Sequence, residues 1–435
     1  MQDLLKIALK KSDQAEIYYT DSTHTHIEFS NGKLHDIESS IQSGYSLRII
    51  KDRLLGFSYT KNLLDPEGLI NNAVRSLEGK VDADYDFPLT LKLPELKTYD
   101  PAIKNLNSKK LIGECNRISK KLLAKTSAEI EISASINCYS SKIVNSAGTD
   151  LAQHNSTFVV WANLCYPGGA AGLSGFKVNF SFAEFPDDKI ATLIESYNLS
   201  QKPVKPAGGK MQVLFMPNSI YTLMWRLKSA TNGKLIYDNT SPLIARIGEK
   251  VFSDKLTIHD DPLYDNLPGA RSFDDEGVKT NRLNIVDEGV LKNFYYDLNY
   301  AAKMKTRSTG NGYKAAQWGG EKIKLKPLPV TAHMFIKPGK ASLKEMINSI
   351  DRGIILHGVM GAHSGNIPNG DYSVGVSPGI YVEKGKIIGR VKDAMVAGNI
   401  YETLNCIETL ENRLHPSFGG TFPAILCDKV SVSIK

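Results

Sequence analysis

Turn residues recur at short intervals along this chain, between runs of strand-forming residues, and this spacing constrains the fold most. The pair Asn31-Gly32 separates AEIYYT and HTHIEFS from KLHDIESS, and Asn-Gly favours a tight hairpin. From residue 256 onward, short strand patterns follow one another with turn signals about every ten residues. Strands and helices do not alternate regularly enough for a doubly wound sheet. The pattern therefore predicts an α+β fold with antiparallel sheets and packed helices.

One segment indicates a domain boundary. The chain has 435 residues, which favours two or three domains. Residues 200 to 210, SQKPVKPAGGK, contain two prolines and two glycines, which interrupt regular structure. We expect an amino-terminal α+β domain over 1–200 and a larger carboxy-terminal α+β domain, rich in strands, over 211–435.

Composition indicates an ordinary globular protein. Apolar residues make up 42% and charged residues 23% of the chain. The net charge of +7 is scattered, which gives little support to a nucleic-acid partner. Five cysteines without a Cys-x-x-Cys motif indicate a reduced protein. No apolar run approaches the roughly 18 residues of a membrane span, and the amino end lacks a signal-peptide layout. We expect a cytoplasmic protein.

Amphipathic patterns predict helices between the strands. One covers residues 2 to 11, another starts at Asp65 with Pro66 in its first turn, and a third covers 187 to 199. Ser108 is expected to cap a fourth helix. Its inward residues are predicted to be Leu111, Ile112, Cys115, Leu122 and Leu123.

Residues 271 to 282, RSFDDEGVKTNR, place Asp274, Asp275 and Glu276 in a row before a glycine. Asp and Gly suit tight turns, and a similar Asp-Glu-Gly follows at 287–289 in a hairpin pattern. If the segment were extended, Asp274 and Glu276 would share one face about 7 Å apart, a spacing suited to acid/base or metal chemistry. The turn interpretation is favoured.

Histidines provide two further candidates. His24 and His26 share a strand face with Glu28; a metal-binding pair is possible there, but a solvent-facing polar stripe is favoured. His357 and His363 lie six residues apart in the glycine-rich ILHGVMGAHSGN. These two could meet in space, but the sequence indicates no third ligand.

Two more segments have ordinary interpretations. STGNG, residues 308 to 312, could present backbone N–H groups to an anion. It lacks the P-loop pattern, and a plain loop is favoured. Cys427 lies in the apolar strand AILCDKVSV, which predicts a buried, unreactive thiol.

Together, in order, several motifs resemble the TldD/PmbA family, whose members are also called modulators of DNA gyrase. The resemblance covers nearly the whole chain. The matching stretches are EFSNGKLHDIESS, GYSLRIIKDRLLGFSYT, VNSAGT, SFDDEGVKT, STGNG, NIPNGDYSVGV, VEKGKI and AGNIYETL. The family implies an α+β fold and a cytosolic dimer. In its bacterial pair, one subunit is a zinc metalloprotease and its partner lacks zinc; the pair degrades unfolded peptides and processes a peptide-antibiotic precursor.

The resemblance also locates the family's zinc helix, His-Glu-x-x-x-His, on MPNSIYTLMWRLKSA. The matching positions are Trp225, Arg226 and Ala230. Trp and Ala cannot ligate zinc, and an arginine cannot act as a general base at neutral pH. The family also has a cysteine near the carboxy end; Cys406 and Cys427 are nearby, but neither is securely matched.

The chain therefore resembles the PmbA/TldE-like branch, and we expect a non-catalytic partner subunit with no cofactor and no metal. Its expected partners are unfolded peptides and either a zinc-bearing TldD-like subunit or a second copy of itself. The acid-rich turn is expected to shape the fold or a subunit contact, with Arg271 and Arg282 as exposed ion-pair partners. The candidates for a peptide chamber or interface are Arg271, Asp274, Asp275, Glu276, Asn311, His357 and His363. Two alternatives stay open: a hydrolase with a rearranged site built from His357, His363 and the 274–276 acids, and a gyrase-associated modulator.

Overall fold

The computed structural model describes residues 1–169, 171–316 and 319–434, and it has an α+β fold with mainly antiparallel sheets. This confirms the predicted fold class. Within those ranges, no helix combines the length and the apolar character needed to cross a membrane.

The first half forms an antiparallel sheet with packed helices. Its strands are β1 (Gln14–Ser30), β2 (Lys33–Lys51), β3 (Leu54–Thr60), β4 (Glu129–Asn145), β5 (Asp150–Cys165) and β6 (Gly172–Asn179). Its helices are α1 (Gln2–Ala8), α2 (Pro66–Arg75), α3 (Ser108–Leu123) and α4 (Asp187–Leu199), with 3₁₀ turns at Ser76–Gly79 and Pro101–Asn105. The strand order is β3-β2-β1-β4-β5-β6, so β6 lies at one edge.

Local sequence signals explain most of these element ends. Asn31 and Gly32 have positive φ in the β1–β2 hairpin, as the Asn-Gly turn requires. Asp65 caps α2 by accepting a hydrogen bond from the Gly68 amide at 2.7 Å. The cap of α3 was predicted one residue too late, because the Asn107 side chain accepts from the Lys110 amide and Ser108 is already helical. Leu123 was wrongly predicted to face inward; it is 45% exposed.

The second half contains more and shorter strands. They are β7 (Pro203–Val204), β8 (Gly209–Phe215), β9 (Ile258–Asp260), β10 (Leu283–Asp287), β11 (Val290–Leu291), β12 (Gly312–Tyr313), β13 (Leu328–Pro329), β14 (Met334–Ile336), β15 (Arg352–Leu356), β16 (Val359–Met360), β17 (Asp371–Val376), β18 (Gly379–Glu383), β19 (Lys386–Val391), β20 (Ala394–Asn399), β21 (Ile407–Leu410), β22 (His415–Ser417), β23 (Gly420–Phe422) and β24 (Ile425–Ile434). The helices are α5 (Pro217–Ala230), α6 (Gly233–Tyr237), α7 (Leu298–Lys303), α8 (Leu343–Ser349) and α9 (Ile400–Thr403), with a 3₁₀ turn at Lys322–Lys324.

These strands form two larger sheets around α5. One has the order β16-β17-β20-β24-β8-β15-β18-β19-β7, with β21 beside β24; the other has the order β11-β10-β9-β14-β23-β22. Apolar side chains of α5, including Ile220, Leu223 and Leu227, pack in one core with Val213 and Met334 from the two sheets. Helix α5 is therefore buried between them.

The two halves share a second apolar core. Phe158 and Leu173 of the first sheet pack in one cluster with Leu214, Ile355 and Leu426 of the second half. The chain leaves the first sheet at Asn179 and joins the next at Pro203. The division into two domains near residues 200 to 210 stays a prediction.

Candidate functional site

The acid-rich segment folds as a tight turn. The Gly277 amide donates to the Asp274 carbonyl at 3.2 Å, and Gly277 has φ of 74°. Phe273 and Lys279 pair across the turn in an antiparallel bridge. All three acids are nevertheless buried: Asp274, Asp275 and Glu276 are 0%, 2% and 1% exposed. A turn with buried carboxylates needs partners for each of them.

Asp274 binds backbone amides. Its Oδ1 accepts from the amides of Glu276 and Val278, both at 2.9 Å, and its Oδ2 accepts from the Gly312 amide at 2.8 Å. Burial raises the pKa of Asp274 well above its usual range, and the nearby charge of Glu276 adds to this effect. Asp274 therefore fixes the turn and ties it to the glycine-rich segment 308–312.

Asp275 binds the chain on both sides of the turn. It accepts from the Lys314 amide at 2.9 Å and from the Arg271 guanidinium at 3.0 Å. The Tyr18 hydroxyl of β1 donates to it at 3.4 Å. Burial alone would raise the pKa of Asp275, but the charges of Arg271 and Lys322 reverse that effect and lower it to about 2. Asp275 is therefore a buried anion that links the two halves of the chain.

Glu276 completes a charged triad across the same boundary. Arg48 of β2 donates to Glu276 at 2.8 Å and to Glu16 of β1 at 2.9 Å. The second oxygen of Glu276 accepts from the Leu298 amide at 2.7 Å. The side chains of Arg48, Glu16 and Glu276 are 3%, 1% and 1% exposed. The guanidinium is held between one acid from each half.

The segment STGNG is a loop whose backbone contacts an acidic side chain of the protein itself. The carboxyl group of Asp274 accepts from the Gly312 amide. Asn311 donates to the Asp260 carboxylate at 2.8 Å and to the Val330 carbonyl at 3.0 Å. Asn311 and the turn acids thus belong to one buried polar network, and their oxygens and amides are engaged within the chain.

The arginine pairs differ from the sequence expectation. Arg271 does bind Asp275, but the pair is buried rather than exposed, with side chains 10% and 2% accessible. Arg282 does not reach the turn acids; its Nη2 lies 3.3 Å from Nδ1 of His259. The Asp-Glu-Gly copy at 287–289 joins β10 to β11 as a hairpin, as its pattern predicted.

Sequence reasoning missed Arg48, Glu16 and Lys314. Lys314 donates through Nζ to the Ser46 hydroxyl at 2.9 Å and to the Leu325 carbonyl at 2.8 Å. Burial lowers the pKa of Lys314 to about 7, and the positive charge of Arg48 adds to this. The one sequence signal for this charged cluster is Arg48, a single arginine inside the apolar run Leu47 to Ile50. Its acceptor Glu276 lies 228 residues away along the chain.

Helix α5 carries Trp225, Arg226 and Ala230, where the resemblance places the zinc ligands and base. Arg226 is fully buried. Its guanidinium donates to four backbone carbonyls, those of Thr222, Ala362, Ser364 and Asp371, at 2.7–2.9 Å. It therefore fastens segment 362–371 to the helix, which is a structural task.

The residues at these three positions do not fit a zinc ion. An indole and a methyl group offer no ligand, and a guanidinium repels a cation. Across residues 1–169, 171–316 and 319–434, no group of three or more His, Cys, Asp or Glu side chains is arranged to hold a metal. The five cysteines in these ranges are all unpaired thiols.

A cleft lies beside the amino-terminal half of α5. It comprises a cavity of about 640 Å³, whose floor is the β5–β6 face with Trp161 and Phe176, and whose walls include Tyr221 and Phe418. A second cavity of about 440 Å³ continues it and also contacts Phe176 and His357. We call these two cavities the central cleft. Its lining combines aromatic rings with a few polar groups, as binding pockets commonly do.

The two candidate histidines separate in the structure. His357 lines the central cleft, and burial lowers its pKa to about 4, so it is neutral at physiological pH. His363 is exposed and lines neither cavity. None of the acids at 274–276 lines the cleft either. His24 and His26 stack with ring centroids 6.2 Å apart on β1.

Comparison with known families gives two matches. The PmbA/TldA metallopeptidase C-terminal domain matches residues 208–434, more than half of the chain, and the PmbA/TldA metallopeptidase domain 1 matches residues 15–77.

Individual relatives are similar over nearly their full length. An uncharacterised protein of Methanocaldococcus jannaschii is 26% identical, with 96% of this chain and 97% of the relative covered. A protein named metalloprotease from Methanothermobacter thermautotrophicus is 24% identical, with 91% and 87% covered. The crystal structure of TldE from Thermococcus kodakarensis has a TM-score of 0.90 at 22% identity, covering 100% of this chain and 99% of that one. A Thermotoga maritima structure titled as a putative modulator of a DNA gyrase has a TM-score of 0.87, also at 22% identity, with 99% of both chains covered.

Proposed function

Since the chain belongs to the TldD/PmbA metallopeptidase family, we propose that it is a non-catalytic partner subunit of a cytoplasmic metalloprotease complex acting on unfolded peptides. Its partner is a zinc-bearing TldD-like relative or, in a self-assembled form, a second copy. This chain supplies a wall of the peptide chamber and leaves bond cleavage to the relative.

The use of Arg226 carries this proposal. Metal-assisted hydrolysis needs about three protein ligands, an open position for water and a base to activate it. Where the resemblance places the family glutamate, this chain has an arginine whose guanidinium donates four hydrogen bonds to carbonyls of its own backbone. Restoring a base there would require releasing segment 362–371.

The central cleft supports the peptide-binding part. Its floor is the face of β5 and the edge strand β6, where Phe176 pairs in register with Trp161. An extended peptide can add to such an edge through main-chain hydrogen bonds, which do not depend on peptide sequence. Aromatic side chains beside the edge accommodate varied residues of an unfolded substrate.

Reconstitution tests the proposal. The purified chain alone should not cleave an unfolded peptide such as reduced, alkylated lactalbumin, with or without added zinc, because α5 offers no ligand set. Mixed with the zinc-bearing relative from the same cells, it should form a complex in size-exclusion chromatography and change the rate of cleavage.

Two matched variants locate the effect. Phe176→Asp in the cleft should weaken peptide turnover by the mixture, whereas Leu199→Asp, at a surface position that is 52% exposed, should not. Cleavage by the chain alone after purification to homogeneity would overturn the non-catalytic assignment. Failure to associate with the relative would overturn the partner assignment.

A further inference from the structure

The larger cavity of the central cleft is lined without a charged side chain. Among the described residues around its volume of about 640 Å³ there is no Asp, Glu, Lys or Arg. Its histidine, His357, is neutral at physiological pH, because burial lowers its pKa to about 4. A charged side chain that entered this cavity would lose water without gaining an ion partner, which is costly. The cavity therefore favours an uncharged ligand.

Four aromatic rings surround the same cavity. Trp161 and Phe176 pair in register on β5 and β6, so they project from one face of the sheet. Along the wall, the rings of Tyr221 and Phe418 lie with their centroids 5.8 Å apart. Aromatic rings form favourable offset and edge-to-face contacts with other rings. A lining of this kind favours an aromatic ligand over an aliphatic one.

Phe418 is the most informative of these rings, because it is 77% exposed. It lies with Gly419 in the short turn between β22 and β23, at the rim of the cavity. Trp161, Phe176 and Tyr221 are each partly exposed as well. A contiguous group of aromatic rings left in contact with water is typical of a binding surface rather than of a core.

Polar side chains of the lining are engaged within the protein. Asn218 donates to the Ser174 hydroxyl at 3.2 Å and to the Ser174 carbonyl at 3.3 Å. The Ser417 hydroxyl donates to the Pro217 carbonyl at 2.7 Å. Because these groups already have partners, they do not require a polar ligand in the cavity.

The smaller cavity of the central cleft differs in charge. Asp188, Lys189 and Arg413 line it, and none of them lines the larger cavity. Phe176 and Asn218 line both, so the two cavities adjoin. A ligand that spans the cleft therefore meets an uncharged aromatic space and a charged, polar one. This combination suits a peptide, which has varied side chains on a polar backbone, better than a hydrocarbon.

We infer that the larger cavity selects an aromatic side chain of a bound peptide, so that the substrate class of the chamber is unfolded peptides containing phenylalanine, tyrosine or tryptophan. This inference rests on the proposed peptide-binding function and adds a side-chain preference to it. Folded proteins bury most of their large aromatic side chains, whereas unfolded segments expose them. Such a cavity therefore also favours unfolded segments over folded ones.

Isothermal titration calorimetry on the purified full chain tests this selection without the zinc-bearing relative. The probes are four capped peptides, acetyl-Ser-Gly-Ser-Xaa-Ser-Gly-Ser-amide, in which Xaa is Phe, Leu, Glu or Lys. The Phe peptide should bind at least about tenfold more tightly than the Glu and Lys peptides, because burying an aromatic ring is favourable and burying an unpaired charge is not. It should bind about threefold more tightly than the Leu peptide.

Phe418 is the position to change, because a side chain that is 77% exposed contributes little to the core. Phe418→Ser should weaken binding of the Phe peptide at least about threefold. Phe418→Lys should in addition raise the ratio of Glu-peptide to Lys-peptide affinity about threefold. Leu64→Lys adds the same charge at a position that is 89% exposed and lines neither cavity. It should leave every ratio within about twofold.

The possible failures are distinguishable. Equal affinity for all four peptides would overturn the aromatic selection and leave peptide binding intact, whereas no detectable binding of any peptide would overturn both. Unchanged binding of the Phe peptide by Phe418→Ser would show that this cavity is not responsible. If N-acetyl-phenylalaninamide bound as tightly as the Phe peptide, the cavity would be a site for a free aromatic compound, contrary to the inference. Failure of the chain to join a zinc-bearing relative would concern the partner assignment alone.

Discussion

Replacing Arg48 by methionine should separate the electrostatic role of the buried triad from its packing. Methionine keeps much of the apolar volume that contacts Phe87, whose ring lies 5.2 Å from the Arg48 guanidinium. It removes the positive charge between Glu16 and Glu276, both 1% exposed. Two buried carboxylates then lose their counter-ion.

The expected loss of unfolding free energy is about 3–5 kcal/mol, the usual cost of breaking a buried ion pair by removing one partner. Glu276 keeps the Leu298 amide as a donor, but Glu16 loses its guanidinium, and its Oε2 already has no partner in the described residues. Burial raises the pKa of Glu16 even with Arg48 present. A raised carboxyl pKa means stability that is present at low pH and lost as pH rises, so the deficit should grow with pH.

Urea unfolding, followed by circular dichroism and tryptophan fluorescence at pH 5 and pH 8, measures this deficit. Arg53→Met is the matched control, because Arg53 pairs with Asp86 at 3.0 Å but is 61% exposed; it should cost less than about 1 kcal/mol. Adding Glu16→Leu and Glu276→Gln to the Arg48 variant should recover most of the loss, since neutralising a whole buried cluster is often nearly neutral.

Two results would refute this reasoning. A loss below about 1 kcal/mol would show that the triad is not effectively desolvated. A large loss that is equal at both pH values and is not recovered in the triple variant would show that packing, rather than charge, is responsible.

Three further predictions follow from individual residues. Writing the zinc motif into α5, as Trp225→His, Arg226→Glu and Ala230→His together, should lower the thermal midpoint without yielding one zinc per chain by elemental analysis, because a carboxylate would face the carbonyls that Arg226 now binds. Burial, with the charge of Glu276, raises the pKa of Asp297 to about 8. The contribution of this group to the free energy of unfolding therefore falls as pH rises from about 4 to 8. Asp297→Asn should remove up to about 1.4 kcal/mol per pH unit from the slope of the unfolding free energy against pH between pH 5 and 7. Gly113→Ala, inside α3 with open space around the added Cβ, should raise stability by about 0.5–1 kcal/mol in urea titrations.

Local chemistry made part of this fold predictable. The Asn31-Gly32 hairpin and the helix Asp187–Leu199 follow from neighbouring residues alone, and the structure has both at the expected positions. The error at Leu123 has the same origin: the buried face of α3 runs through Leu111, Ile118 and Leu122, and the next position turns about 100° away from it.

The site was less predictable because its partners are distant in sequence. The turn at 274–277 follows from its own residues, but its burial depends on Tyr18 and Arg48, more than 200 residues earlier. A short acidic segment is usually exposed, so local reasoning assigned exposed ion pairs to Arg271 and Arg282. In the structure, the Arg271–Asp275 pair is buried, and Arg282 lies beside His259 and does not reach the acids of the turn.

The buried arginines of the described residues differ in the groups that hold them. Arg48 and Arg271 are ion-paired with acids, and Arg226 binds four carbonyls. Each of these guanidinium groups is held by acceptors of the protein, although Nη2 of Arg48 lies 2.8 Å from Glu16 without forming a hydrogen bond. Arg390 is also buried and stacks on Tyr166, and its Nε and Nη1 atoms, which have almost no accessible surface, have no hydrogen-bond partner among the described residues. The acceptors that define a structural arginine, such as Glu276 for Arg48 and Ser364 for Arg226, lie 228 and 138 residues away along the chain, so only the tertiary structure identifies them.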